Sequence, residues 1–149
     1  MPTYSARSRI TALLFLGLIG AATAAAQVKR VAVGSLGSTP AALKMRVALI
    51  AELHKHGHLA VVTEAAGADA VITGTAEIWL RGYYSLNPRS RSITDDAHAV
   101  YGGYLSVDVR GPHSEQIWSY LAVPRRTGTD EIYRNLAEQV VKKFREAVK

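Results

Sequence analysis

The chain has 149 residues, no cysteine and a formal net charge of +6. This length favours a single domain, and the absence of cysteine excludes both a disulfide and a lipid attached through a cysteine. The positive charge is modest and forms no basic stripe, so it does not indicate a nucleic-acid partner.

The N-terminal segment has the features of a secretory signal peptide. Arg7 and Arg9 form a positively charged region, an apolar segment follows, and Ala24 and Ala26 form a small-x-small cleavage site. The apolar segment is shorter than the roughly 20 residues of a membrane span. We therefore predict a cleaved signal peptide over residues 1–26, with an uncleaved N-terminal anchor as the alternative.

The remaining chain, residues 27–149, is expected to form one modest domain. The signal segment holds two of the 18 basic side chains and none of the 12 acidic ones, so this domain has a net charge of +4. A mildly basic exported domain suits contact with an acidic surface, such as an anionic envelope polymer. We expect a periplasmic or secreted location, no stable membrane span after cleavage, and no nucleic-acid partner.

The first half of the domain predicts a strand, a helix and a second strand. Residues 28–33 form a Val-rich run typical of a strand. Thr39 and Pro40 match an N-cap followed by a first-turn proline, and Gly57 is a plausible helix end. Residues 59–63 predict the second strand. Apolar residues recur at helical spacing between these limits: Leu43, Val47, Ile50 and Leu53.

The segment ADAVITGTAEIWL, residues 68–80, alternates as a third, one-sided strand. One set of alternate residues is apolar or small and is expected to face the helices: Ile72, Gly74, Ala76, Ile78 and Leu80. A glycine inside a strand fits a close approach by a helix or by a neighbouring backbone. We interpret Gly74 as leaving room for a helix.

The last part of the chain predicts a hairpin and a helix. Residues 81–99 are expected to form a long loop, and residues 100–110 and 116–123 two strands. The residues expected to face inward are Leu105, Val107 and Val109 in the first strand and Ile117, Leu121 and Val123 in the second. After Asp130, one apolar stripe at i, i+4 spacing predicts the final helix: Ile132, Leu136, Val140, Phe144 and Val148.

The resulting order β-α-β-β-β-β-α predicts an α+β domain, a mixed sheet with two main helices packed on it. The segments ADAVITG (68–74) and VDVRGPHSEQIWS (107–119) resemble motifs of the CsgG / LpoB / TolB N-terminal-domain group of envelope proteins, here without a lipobox cysteine. The resemblance covers most of the domain. It implies an exported, non-enzymatic module that binds other envelope proteins.

Polar clusters offer chemical alternatives. The sequence contains an HxHxH cluster, His54, His56 and His58, and a second cluster in the long loop, Asp95, Asp96 and His98. The histidines straddle the predicted helix end, so a shared metal is not expected. The loop GSLGST, residues 34–39, lacks the lysine and the spacing of phosphate-binding motifs. We expect no catalytic residue, metal or cofactor, and a small secreted hydrolase remains an alternative.

Aromatic residues from the three predicted strands form the candidate binding surface. They are expected on the sheet face away from the helices, together with Arg110: Trp79, Tyr104, Trp118 and Tyr120. Aromatic side chains framed by polar groups suit a protein or glycan contact. We predict a surface for another envelope protein, with glycan or peptidoglycan binding as the alternative. The competing interpretation is that a neighbouring segment covers this face and makes it a second small core.

Overall fold

A computed structural model describes residues 28–85 and 97–148, which form an α+β domain in the order β-α-β-β-β-β-α. The predicted fold class is therefore confirmed. The strands are β1 (Arg30–Val33), β2 (Ala60–Val62), β3 (Ala70–Ser85), β4 (Ala97–Arg110) and β5 (Gln116–Ala122). The helices are α1 (Pro40–Lys55) and α2 (Glu131–Ala147), with a short 3-10 turn at Ala65–Gly67.

The five strands form one mixed sheet in the order β2-β1-β3-β4-β5. Strand β1 pairs in parallel with β2 and with β3, whereas β3, β4 and β5 are antiparallel to their neighbours. The hydrophobic core lies between one face of this sheet and the two helices. Its largest fully buried side chains include Phe144, Leu36, Met45, Leu49, Leu53, Ile72, Leu105, Ile132 and Leu136.

Helix α1 begins and ends as predicted. The hydroxyl of Thr39 accepts a hydrogen bond of 3.1 Å from the backbone N–H of Ala42, which satisfies one of the free donors of the first turn. The helix ends with His56 as its C-cap, and Gly57 follows directly. Local sequence signals were sufficient for both ends.

The predicted buried stripe of α1 was partly wrong. Leu53 is fully buried, but Leu43 and Val47 are 57% and 66% exposed. The side that packs on the sheet carries Ala42, Met45, Leu49, Glu52 and Leu53. Both sets recur at helical spacing, so the period alone could not choose between the two sides of this helix.

Gly74 has a different role from the one predicted. A Cβ atom at this position would lie 2.0 Å from the carbonyl oxygen of Ser106 on β4. The close neighbour is therefore the backbone of the paired strand and not a helix. Any larger residue would push β3 and β4 apart at the centre of the sheet.

The β3–β4 hairpin is longer than predicted. Residues 81–85 and 97–99 continue the two strands past a register shift between Leu80 and Gly82. The rest of the predicted loop, 86–96, lies outside the described residues. Tyr84 and His98 face each other across the strands with ring centroids 5.5 Å apart, a cross-strand contact that supports the extension.

Helix α2 matches its prediction closely. Four residues of the predicted stripe are fully buried, and Val148 is partly buried against the core: Ile132, Leu136, Val140 and Phe144. The opposite side of the helix is polar, so only one orientation removes its apolar side chains from water.

Candidate functional site: the outer face of the sheet

The sheet face opposite the two helices, called the outer face below, carries alternate residues of three adjacent strands. Strand register places the following residues on it: Val71, Thr73, Thr75, Glu77 and Trp79 of β3, Tyr104, Ser106, Asp108 and Arg110 of β4, and Ser119 and Leu121 of β5. Several of these side chains are exposed, including the large apolar ones of Trp79 and Leu121. Exposed apolar residues surrounded by polar ones are typical of contact surfaces.

Trp79 occupies a defined position on the outer face. It pairs with Gly102, and a Cβ atom at Gly102 would lie 3.0 Å from the indole nitrogen of Trp79 and 2.7 Å from Cδ of Arg81. The indole and the stem of Arg81 therefore lie across this glycine, which itself is buried. Trp79 remains 48% exposed. Its indole therefore contacts Gly102 on the side towards the sheet and is accessible to a partner on the other side.

Tyr104 supports the same aromatic position. Its ring meets that of Trp79 edge to face, with centroids 6.5 Å apart, an arrangement that aromatic quadrupoles favour. Burial and the neighbouring Glu77 carboxylate, with which the phenol forms a hydrogen bond, raise the pKa of Tyr104 above its usual value. The phenol therefore stays neutral as a hydrogen-bond donor to Glu77 at physiological pH.

Leu121 extends the apolar part of the outer face to the last strand. It pairs with Ser106, two residues along β4 from Tyr104, and is 58% exposed. Trp79, Tyr104 and Leu121 thus form a diagonal across β3, β4 and β5. We call these three residues the outer-face diagonal.

Arg110 lies at the polar end of the outer face. It is exposed at the end of β4, where it pairs with Val71 on one side and Gln116 on the other. Asp108 and Ser119 form the neighbouring pair. The outer face therefore changes from aromatic to polar and charged along the strands.

The prediction that Trp118 and Tyr120 lie on the outer face was wrong. Trp118 pairs with Val109, and Tyr120 with Val107, two fully buried residues of the helix-packed face. The Trp118 ring lies 5.6 Å from that of Phe144 on α2. Both aromatic residues are partly buried against the core, so they stabilise the domain from inside.

The physical reason lies in the register of β5. The pairing with β4 shifts at Ile117, next to the Val109–Trp118 pair. Leu121 and Val123, expected to be buried, are exposed instead. Because β5 has apolar side chains at both odd and even positions, its alternation did not identify the buried face.

The three histidines of the HxHxH cluster differ in their exposure and in their contacts. His54 and His58 are exposed, whereas His56 is partly buried and its Nδ1 lies 3.2 Å from Nη1 of Arg145 on α2. On its other side, Nε2 of His56 lies 3.6 Å from Oε1 of Glu52. Within residues 28–85 and 97–148, no group of three His, Asp or Glu side chains could hold a metal ion.

Two further polar segments, the one containing His98 and the loop GSLGST, contact neighbouring strands. His98 contacts Tyr84, while Asp95 and Asp96 lie outside the described residues. The segment GSLGST runs beside β3, where carbonyl groups of Ser35 and Leu36 accept hydrogen bonds of 3.0 and 2.8 Å from strand N–H groups. This segment extends the sheet and places the buried side chain of Leu36 in the core.

Sequence reasoning missed Arg81 and Leu121 as members of the candidate site. Arg81 is two residues after Trp79, so strand alternation could have placed it beside the indole. Gly102 gave a further signal, because a glycine opposite a tryptophan leaves space for the indole. Leu121 gave none, since its alternate position on β5 was interpreted as core.

None of the helices in the described part of the chain is long and apolar enough to cross a membrane.

Comparison with known proteins finds similarity only among solved structures, since no protein-family model and no curated protein matches. PelC from Paraburkholderia phytofirmans, a dodecamer solved in two crystal forms, is 17% identical, with 76% of this chain and 82% and 84% of those chains covered and TM-scores of 0.48 and 0.47. A minor lipoprotein from Acinetobacter baumannii is 11% identical, with 80% of this chain and 91% of that chain covered and a TM-score of 0.42. An uncharacterized lipoprotein B from Nitrosomonas europaea is 16% identical, with 78% and 79% covered and a TM-score of 0.46.

Two of these three proteins are described as lipoproteins. None of the three is described as a CsgG, LpoB or TolB protein.

Proposed function

We propose that this chain is an exported, non-enzymatic module of the cell envelope that binds another envelope protein through the outer face of its sheet. The signal-peptide features of residues 1–26 support export. The periplasm is the compartment in which such a module and an envelope partner would meet.

The observation that carries the proposal is the outer-face diagonal. Trp79 and Leu121 are about half exposed, although both are large apolar side chains whose burial would stabilise a complex. Trp79 is also held across Gly102 and against Tyr104, so a partner would not have to immobilise it. Interfaces concentrate their binding energy in such rigid aromatic positions.

The polar surroundings suit a specific contact with a protein. Glu77 lies beside the apolar diagonal, and Asp108 and Arg110 follow at the polar end of the outer face, so this face carries charges of both signs. Charged groups at the rim of an interface fix orientation and exclude wrong partners more than they add affinity. This combination favours a defined protein partner over a purely apolar surface.

Site-directed photo-crosslinking in intact cells tests the proposal. A photoreactive residue replacing Thr75, exposed beside the diagonal on β3, should form an adduct with an envelope protein. The same residue replacing Ala51, exposed on α1, is the matched control and should not form that adduct. Trp79→Ala, introduced together with the probe at Thr75, should reduce the adduct at least tenfold, as expected for loss of an interface hot spot.

The result that would refute this function is also clear. Equal adducts from both probe positions, or a Thr75 adduct that Trp79→Ala leaves unchanged, would show that the outer face is not the docking surface. A thermal unfolding measurement on Trp79→Ala checks that the domain still folds, as its exposed position predicts.

Glycan binding is the second candidate, and the position of Trp79 is the observation that favours it. An indole that is about half exposed can stack on a sugar ring, with Arg81 and Glu77 nearby as hydrogen-bonding groups. Co-sedimentation with insoluble peptidoglycan tests this candidate. Sedimentation that Trp79→Ala abolishes would support it, and a chain that stays in the supernatant would exclude peptidoglycan as the ligand.

A further inference from the structure

A cavity of about 600 Å³ opens at the end of the sheet where β1 and β2 begin and where both helices end. Its base is apolar: Val28 and Leu59 are buried, and Val148 is partly buried against the core. Its rim carries the basic side chains of Lys29 and Arg145. Sites for small molecules are typically cavities of about 300–1,000 Å³ with a mostly apolar lining and a few placed polar groups.

The cavity carries positive charge that carboxylates of the described chain do not neutralise. Lys29 and Arg145 line it, His58 adds an exposed imidazole, and no Asp or Glu of the described residues is part of the lining. Among these residues, no carboxylate forms an ion pair with Lys29 or Arg145. Asp69, which accepts a hydrogen bond from the backbone of Lys29, pairs with the side chain of Arg30 instead.

Helix α1 holds the guanidinium of Arg145 through a neutral group. Nη1 of Arg145 lies 3.2 Å from Nδ1 of His56, and Nε2 of the same ring lies 3.6 Å from Oε1 of Glu52. Because a guanidinium only donates hydrogen bonds, Nδ1 of His56 must accept. The charge of the buried Glu52 is already matched by Lys55. Arginine has five N–H donors, so Arg145 keeps donors with which to bind an anion through two parallel hydrogen bonds.

Complementing a helix dipole is the simpler explanation for a basic residue near a helix C-terminus, and it would account for Arg145 alone. It does not account for Lys29, which precedes β1 and belongs to no helix. Each helix end contributes about half an elementary negative charge, so Lys29 and Arg145 together leave about one positive charge uncompensated. The apolar base is a second feature that dipole complementation does not require.

We propose that this cavity binds an amphiphile with one anionic head and one apolar chain. The head pairs with Arg145 and Lys29, and the chain lies on Val28, Leu59 and Val148. Charge-assisted hydrogen bonds to the head and burial of the chain each favour binding. The head is a carboxylate or a phosphate monoester, because a guanidinium recognises both through the same paired bonds. No residue assigned to the outer face lines the cavity, so this site is independent of the function proposed above.

Isothermal titration calorimetry on the purified full chain, as cells process it, tests the proposal with octanoate and octyl phosphate as probes. At least one of them should bind at a single site, and the tighter one identifies the preferred head. Two neutral or truncated probes, 1-octanol without the charge and acetate without the chain, should bind at least about tenfold more weakly. Binding of 1-octanol as tight as that of the anionic probes, or no binding of either anionic probe at millimolar concentration, would overturn the proposal.

Removal of the guanidinium tests the assigned head site. Arg145→Gln should raise the dissociation constant of the anionic probe at least about tenfold, because the charged partner of the head is lost. Arg134→Gln makes the same change at an exposed position about three turns earlier on α2, and it should leave the dissociation constant unchanged. Equal losses in both variants would assign binding to the net charge of the domain and contradict the site.

Gly57 offers a second variant that removes no contact. A Cβ atom there would meet nothing within 4 Å, and its φ is not positive, so an aspartate fits without strain. Gly57→Asp places a negative charge in the lining and should weaken the anionic probe at least about fivefold, with the domain still folded in thermal unfolding. Gly82→Asp, at an equally open glycine on β3, is the matched control. An unchanged dissociation constant for Gly57→Asp would show that the probe binds elsewhere.

Discussion

Strands β4 and β5 are neighbours in the same hairpin, yet the two strands use their alternating residues differently. In the last part of β4, aliphatic residues alternate with polar ones, and Leu105, Val107 and Val109 are all fully buried. In β5, both sides carry large apolar residues, and the side with Trp118 and Tyr120 packs on the core. A strand with one apolar side determines its own orientation, whereas a strand with two leaves the choice to its neighbours.

The first prediction concerns β4 and has the largest expected effect. Val107→Asp buries an unpaired carboxylate on the helix-packed face and should cost more than about 4 kcal/mol of the free energy of unfolding. Ser106→Asp, the adjacent control on the outer face, should change it by less than about 1 kcal/mol. Chemical denaturation of the three chains measures both values, and similar losses would contradict the assignment of the two sides of β4.

The second prediction tests the orientation of β5. Trp118→Ala removes a side chain packed against the core and should destabilise the domain by about 2–4 kcal/mol. Leu121→Ala removes an exposed side chain and should change the free energy of unfolding by about 0.5 kcal/mol or less. If Leu121→Ala proves the more damaging substitution, β5 faces the other way in solution.

The third prediction isolates the contact that fixes β5. A double-mutant cycle with Trp118→Ala and Phe144→Ala should give a coupling free energy of about 1 kcal/mol, because their rings lie 5.6 Å apart. The cycle of Leu121→Ala with Phe144→Ala serves as the control and should give no coupling. Unfolding curves of the single and double variants provide these values.

The fourth prediction extends the comparison to Asp69, which directly precedes the central strand β3 and contacts the start of β1, and it has the smallest expected effect. Asp69 accepts hydrogen bonds from the backbone N–H groups of Arg30 and Lys29, at 2.8 and 3.0 Å, and these lower its pKa below the usual 3.8. A lowered folded-state pKa adds stability above the unfolded-state value, and this stability is lost as the pH falls towards the folded-state value.

Asp69→Asn should therefore flatten the loss of stability between about pH 5 and about pH 3. Ser119→Asn, a neutral change on β5, should keep the acid response of the unsubstituted chain. Thermal unfolding at several pH values separates these outcomes. An acid response of Asp69→Asn as steep as that of the unsubstituted chain would assign the effect to other carboxylates.

The two helices differ from each other in the same way as strands β4 and β5. Helix α2 has a single apolar stripe, and the residues of that stripe are buried as predicted. Helix α1 has apolar residues on two sides, and the predicted Leu43 and Val47 proved to be exposed. The helical period of apolar residues is present in both helices, but only in α2 does it identify a single buried side.

The candidate site was predicted in part for the same reason. Trp79 and Tyr104 lie on strands whose alternating aliphatic residues identified the buried side, and the structure places both on the outer face with their rings in contact. Trp118 and Tyr120 lie on the ambiguous strand and were assigned to the wrong face. The contribution of Gly102 as the surface under Trp79 depends on strand register, which residue types alone did not reveal.

The sequence by itself determined the order of the elements, the N-cap of α1 and the buried stripe of α2, because each depends on residues close together along the chain. Only the tertiary structure decided which side of α1 and of β5 is buried. In both elements two apolar sets share the same period, so the choice depended on contacts with distant residues, above all the pairing of β5 with β4 and the packing of Phe144 on Trp118.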